Sequence, residues 1–155
     1  MMKKDSHEDT KKVEEHEEDE PRNVGVRIPS PLSVEAERAM HRTIGCALSV
    51  HRALGPGFLE SIYRQAMYLE LDAWGLAFER ERPVRVAYRS VEIPGQRVDL
   101  IIEGLIVVEL KSVASLADVH RAQLISYLRT TGLRGGLLIN CDVRLLKDGI
   151  QRVVL

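Results

Sequence analysis

The stretch VDLIIEGLIVVELKS, Val98 to Ser112, reads as two apolar strands joined across Glu103-Gly104, yet Asp99, Glu109 and Lys111 interrupt it. An unpaired charge in a protein interior is costly, so such groups shift their pKa, find partners or bind a metal. The register of the hairpin decides which. A two-residue turn would pair Ile102 with Leu105, so that paired numbers add to 207 and Asp99 and Glu109 fall on opposite faces. A three-residue loop, Glu103-Gly104-Leu105, makes the sum 208 and sets Asp99 directly opposite Glu109. A bulge at Gly104 restores the same phase. Lys111 then joins them, because side chains alternate along a strand with period two. We therefore expect one face carrying Asp99, Glu109 and Lys111, and another carrying Val108 and Leu110.

Two carboxylates converging on one point repel unless a cation lies between them. Oxygen donors suit Mg²⁺, which takes few protein carboxylates. A lysine beside such a pair can orient or help deprotonate an attacking water, a combination suited to phosphodiester hydrolysis. The structural alternative for Glu109 and Lys111 is an exposed ion pair on a strand, worth little.

Around this hairpin the order is helix, helix, three strands, helix, two or three strands. Ser33 can cap a first helix, with Glu35 and Glu37 in its opening turns, where the dipole favours acids. Met40, Ile44, Ala47, Leu48, His51 and Leu54 follow with helical spacing. Gly55-Pro56-Gly57 ends that helix, and a second begins near Phe58, its stripe formed by Leu59, Ile62, Tyr63, Ala66, Leu69 and Ala73. Val84, Val86 and Tyr88 alternate with Arg85, Ala87 and Arg89 as in a half-exposed strand, and Pro94-Gly95 predicts a turn. Strands are expected over about 96–102 and 105–111. Ser115 with Asp118 predicts the cap of a third helix, stopped by Gly132. GGLLINC, from Gly135, is a buried strand, and an Asp-Gly turn at 148–149 leads to a last strand, IQRVVL.

The chain has 155 residues, enough for one compact domain. Its longest apolar run, LIVV, is far shorter than the roughly 20 residues of a membrane span. The opening residues, MMKKDSHEDTKK, lack the apolar core of a secretory signal, so the chain is expected to be cytoplasmic. The net charge of −1 hides an asymmetry. Residues 1–20 hold nine acids against four lysines, or −5, leaving +4 on residues 21–155. With a lone Val13, no aromatic residue and no core-forming pattern, the first twenty read as a disordered tail, joined by a linker to a domain over 33–155, so that 1–32 form tail and linker. Cys46 and Cys141 are too few for a disulfide framework, and the histidines show no zinc-binding spacing.

Asp99, ten residues before Glu109-Leu110-Lys111, on a hairpin followed by a helix, resembles the PD-(D/E)XK nuclease superfamily. More narrowly, GFLESIY supplies Gly57, Glu60 and Tyr63 of the pattern that names the GxxExxY proteins. VHRALGPGFLESIY, VELKSV, AQLISYL and LLKDGIQRVVL are similar to that group in the same order. The resemblance covers about residues 34–155. It departs at Val98, where the superfamily pattern has proline.

The resemblance implies an α/β fold: a restriction-endonuclease-like αβββαβ core with an extra N-terminal helix. It implies a Mg²⁺ site, with Mn²⁺ as a substitute. Asp99, Glu109, Glu60 and the backbone carbonyl of Leu110 would be ligands, and Lys111 would position the water. Gln123 and Tyr127 match a Q-x-x-x-Y motif of some nuclease branches; four apart, they share a helical face and could contact phosphate or support Lys111. The implied partner is nucleic acid, DNA ahead of RNA, with room for a protein partner or a homo-oligomer and no role for a membrane. An accessory module that keeps the fold and binds nucleic acid with little activity is the alternative from a different class. A metal-dependent enzyme on another phosphate substrate is a third.

Several neighbours have simpler roles. Tyr63 and His51 fit core positions, the latter hydrogen-bonded, and both cysteines fit buried free thiols. His120 lies one turn before Gln123 in a structural or surface role. Arg80, Arg82, Arg85 and Arg89 suit a solvated strand face or, alternatively, an edge that tracks phosphates. Because the tail offers no core residues, deleting residues 1–20 should leave the melting temperature within a few degrees. A large loss in a thermal melt would contradict the boundary.

Overall fold

In the computed structural model, which describes residues 30–155, the Ser33 side chain accepts a hydrogen bond from the Ala36 amide and starts α1 (Val34–Leu54). The acidic tail and most of the linker expected before residue 33 lie outside the described residues. Helix α2 (Glu60–Ala73) follows, then β1 (Phe78–Tyr88), β2 (Val91–Ile102), β3 (Ile106–Lys111), α3 (Asp118–Thr131), β4 (Gly135–Asn140) and β5 (Ile150–Val154). The strands form one sheet in the order β1-β2-β3-β4-β5. All neighbours are antiparallel except β3 and β4, which are parallel and joined by α3. This is the expected αβββαβ core, preceded by α1.

The alternation of the central strands builds two cores. Leu100, Ile102, Ile106, Val108, Leu110, Leu137 and Ile139 pack with α1 and α2, while Ile101, Val107 and Leu138 pack with Leu124, Tyr127 and Leu128 of α3. Strands covered on both faces read as near-continuous apolar runs, as β3 and β4 do. Strand β4 opens with two glycines because both layers approach it closely. A Cβ at Gly135 would lie 2.8 Å from Leu32, and one at Gly136 would lie 2.9 Å from Leu124.

Three local expectations are corrected. Helix α2 buries Tyr63, Met67, Tyr68 and Leu71, whereas Leu59, Ile62 and Leu69 are exposed. The helix carries two apolar stripes, and the one that meets the sheet contains the larger aromatic residues. Pro94-Gly95 is not the hairpin turn. Arg89 and Ser90 make it, with φ of 47° and 65°, the double positive φ that a tight hairpin requires. Pro94 and Gly95 instead form a bulge, because the register moves from Val84↔Gln96 to Val86↔Ile93. Helix α3 starts after Ala117 rather than Ser115: the Nδ1 of His120 accepts from the Ala117 amide, the half of a capping box expected of Asp118, and no N-cap hydroxyl takes the part expected of Ser115. The Asp-Gly turn is present as expected, at the end of a short 3-10 turn, Leu146–Gly149, that leads directly into β5.

Other expectations hold. His51 bonds the Val143 carbonyl through Nε2 at 2.8 Å, and Cys46 and Cys141 are buried free thiols. The first and last elements are tied by Arg152, which grips Glu37 with two nitrogens, one at 2.7 Å. Hydrogen bonds from Arg152 and Ser30 lower the Glu37 pKa from 4.5 to about 2. A lowered carboxylate pKa adds stability that is complete above the unfolded value and is lost as pH falls toward the folded one. The pair is partly solvated, so its worth is about 1 kcal/mol rather than the full shift. Glu37→Gln should therefore lower the melting temperature by a few degrees above pH 4.5, and the gap should close as pH approaches 2. A gap independent of pH over that range would contradict the pairing.

Candidate active site

The pairs Leu100↔Val108, Ile101↔Val107 and Ile102↔Ile106 all add to 208, so the hairpin closes through the three-residue loop Glu103-Gly104-Leu105. Glu103 and Gly104 take φ of 55° and 65°, and the Leu105 amide donates to the Ile102 carbonyl at 2.9 Å. Asp99 therefore lies opposite Glu109. Here the carboxylates supply bonds between the strands. The Asp99 amide donates to Oε1 of Glu109 at 3.0 Å, and the Leu110 amide donates to Oδ2 of Asp99 at 2.9 Å.

Strand β1 is distorted where it passes this pair. Glu81 has φ of 48°, and the ladder skips from Arg80↔Leu100 to Arg82↔Val98. Leu100 packs on the α1–α2 side, but Val98, two residues away, packs on the α3 side. The phase change leaves Asp99 within reach of side chains from both α2 and α3.

From α3, Gln123 accepts a hydrogen bond from Nζ of Lys111 at 2.8 Å and donates through Nε2 to the Tyr127 hydroxyl at 3.0 Å. The four-residue spacing thus builds a chain from Tyr127 through Gln123 to Lys111. An open cleft lined by Gln96, His120, Gln123 and Ser126 adjoins it. From α2 comes Arg64, which the sequence reading missed. Its Nη2 bonds Glu60 at 2.8 Å, its Nε lies 3.7 Å from Oδ1 of Asp99, and its Nη1 lies 3.8 Å from Glu81. Glu60 is therefore linked to Asp99 through an arginine rather than by direct contact. Arg64 follows Glu60 by one helical turn, and this Glu-x-x-x-Arg spacing was the available signal.

The Gly57, Glu60 and Tyr63 pattern now has a physical account. The buried Tyr63 hydroxyl donates to the Gly55 carbonyl and accepts from the Phe58 amide at 3.2 Å, which fixes the turn into α2. Ser112 Oγ donates to the Phe58 carbonyl at 2.8 Å and ties that turn to the end of β3. Gly57 takes a φ of 104° there. Glu60, first in α2, is thereby held near the hairpin. At the same end of β3, buried Asn140 clamps Val113 through its amide and carbonyl and sets the chain leaving Lys111. Leu110 has its amide on Asp99, pairs with Ile139 and buries its side chain in the core.

The electrostatics follow from burial. Glu109 is 3% exposed. Burial first, and then the neighbouring Asp99 charge, push its carboxyl from 4.5 up to about 8. Burial opposes the charge of Arg64, but Asp99 and Glu60 outweigh it and raise its pKa. Burial and then Glu109 raise the Tyr127 hydroxyl. Among the described residues, no group of three or more His, Cys, Asp or Glu side chains is arranged to hold a metal ion. The oxygen donors of Asp99 and Glu109 still fit Mg²⁺, which needs only one or two carboxylates. Glu109 also carries a negative charge only at a cost that a cation beside it would relieve.

A family model for the PD-(D/E)XK nuclease superfamily matches residues 37–153, from α1 to β5. The chain belongs to this superfamily. No curated protein and no solved structure gives a significant match. Asp99 on β2 and Glu109 and Lys111 on β3 lie in the phase that puts all three on one face.

A raised carboxyl pKa means that the folded state binds the extra proton. Ionised Glu109 therefore costs stability, and the cost grows as pH rises from 4.5 to about 8. In chelator, Glu109→Gln should gain melting temperature over the wild type across this range and show little difference at pH 4.5. A gap that shrinks as pH rises would contradict the buried-carboxyl account.

Proposed function

We propose that the protein hydrolyses phosphodiester bonds of DNA or RNA at the Asp99–Glu109–Lys111 site with Mg²⁺ or Mn²⁺, as a member of the GxxExxY group. The observation that carries this reading is the convergence of Asp99 and Glu109 across the hairpin, with Lys111 held two residues on by Gln123. Asp99 and Glu109 would hold the cation, with the Leu110 carbonyl as a further ligand, whereas Glu60, which is joined to Asp99 only through Arg64, would hold the arginine rather than the ion. When bound, such an ion polarises a phosphoryl oxygen and acidifies water.

The chain's own residues do the rest. Lys111 is directed by Gln123, so its ammonium can orient the attacking water or meet charge developing on the phosphate. Tyr127 fixes the amide of Gln123, so that its oxygen faces the lysine. Gln123 also lines the adjoining cleft, where it can touch the substrate backbone. The β1–β2 arm adds cations. Arg89 lies over the exposed Tyr88 ring near its tip, and Arg85 pairs with Glu92. These side chains suit loose, salt-sensitive contact with phosphates.

The test is incubation of the full chain with plasmid, single-stranded DNA and RNA, in Mg²⁺ or Mn²⁺ against chelator. We expect metal-dependent cleavage that falls by about 10²-fold or more in Lys111→Ala. Gln123→Ala should show a smaller loss. Mn²⁺ should raise the melting temperature of the wild type but not of Asp99→Ala, because a ligand bound only by the native state stabilises it. Salt-sensitive binding without cleavage in either metal would favour the accessory module.

A further inference from the structure

Arg64 sits among three carboxylates but is bonded unequally to them. Glu60 accepts a hydrogen bond from it at 2.8 Å. Asp99 does not, because the 3.7 Å from Nε to Oδ1 is too long for one. Nε is buried and has no hydrogen-bond partner. The other oxygen of Asp99, Oδ2, is taken by the Leu110 amide. Oδ1 is thus the oxygen of Asp99 left for a cation, and Arg64 faces it.

We infer that Arg64 is an exchangeable counter-cation, which neutralises Asp99 in the metal-free protein and is displaced when a divalent ion takes Oδ1. The inference rests on the proposed metal site at Asp99 and Glu109. A divalent ion approaches an oxygen to about 2.1 Å and carries twice the charge, so it outcompetes a guanidinium held by attraction alone. The displaced guanidinium has a resting place. Its hydrogen-bonded partner Glu60 is 36% exposed and Glu81 is 52% exposed, against 16% for Asp99, so the arginine can stay paired while it moves toward solvent. The opposite role, a fixed clamp that holds Asp99 ready for the metal, predicts the reverse effect when the arginine is removed.

The experiment is Mn²⁺ titration of the full chain without substrate, followed by paramagnetic resonance of free Mn²⁺, in wild type, Arg64→Gln, Arg64→Lys and Asp99→Asn. Arg64→Gln should bind Mn²⁺ about tenfold tighter or more, since a cation beside the ligand has gone. Arg64→Lys should stay near the wild type. In chelator, Arg64→Gln should melt lower than the wild type, and Mn²⁺ should raise its melting temperature further. If Arg64→Gln does not fold in chelator, folding on addition of Mn²⁺ supports the exchange. Failure to fold at Mn²⁺ levels that saturate the wild type overturns it. Equal or weaker binding by Arg64→Gln overturns the exchange and leaves the metal site standing. No binding by any variant, or binding by Asp99→Asn equal to wild type, overturns the metal site itself and the exchange with it.

Discussion

The hairpin register places two carboxylates opposite one another in the buried centre of the sheet, among apolar residues of β2, β3 and β4. Much of the surrounding structure answers that one constraint. The strands bond through the acids themselves, β1 kinks as it passes, and an arginine from α2 reaches in to balance the charge. Packing alone would favour apolar residues there, because burying a charge costs more than a well-packed methyl contributes. A cation beside the pair, as proposed, would offset that cost.

The two layers divide the work. The α3 side presents a hydrogen-bonded chain, Tyr127 to Gln123 to Lys111, that sets the position of one ammonium. The α2 side presents charge, Glu60 and Arg64, on a helix whose entrance is pinned by Tyr63 and Ser112. Rigid elements thus position both halves, while the strand pair between them supplies the acids. The long β1–β2 arm extends past this centre, with apolar and arginine side chains left exposed.

Much of this was legible in the sequence, because parity is a strong constraint. Once Asp99 and Glu109 were required to share a face, a three-residue loop or a bulge remained, and the observed register has the loop. The buried strands, the Ser33 cap and the Gly132 stop were also readable from local chemistry. The α2 face was not, since Leu59, Ile62 and Leu69 make as good a stripe as Tyr63, Met67 and Leu71 until the sheet is present. The hairpin tip was missed because Arg89 and Ser90 adopt a conformation that composition assigns to glycine and asparagine. Arg64 showed only its helical spacing from Glu60, and its approach to Asp99 and Glu81 was hidden because they are distant in sequence.

The central claim is that the Asp99–Glu109 pair is a cation site rather than a tolerated burial. Anomalous diffraction from crystals soaked in Mn²⁺ tests it most directly. The account predicts a manganese peak beside both carboxylates. A map with manganese only elsewhere, and the Asp99 amide still donating to Glu109, would contradict it.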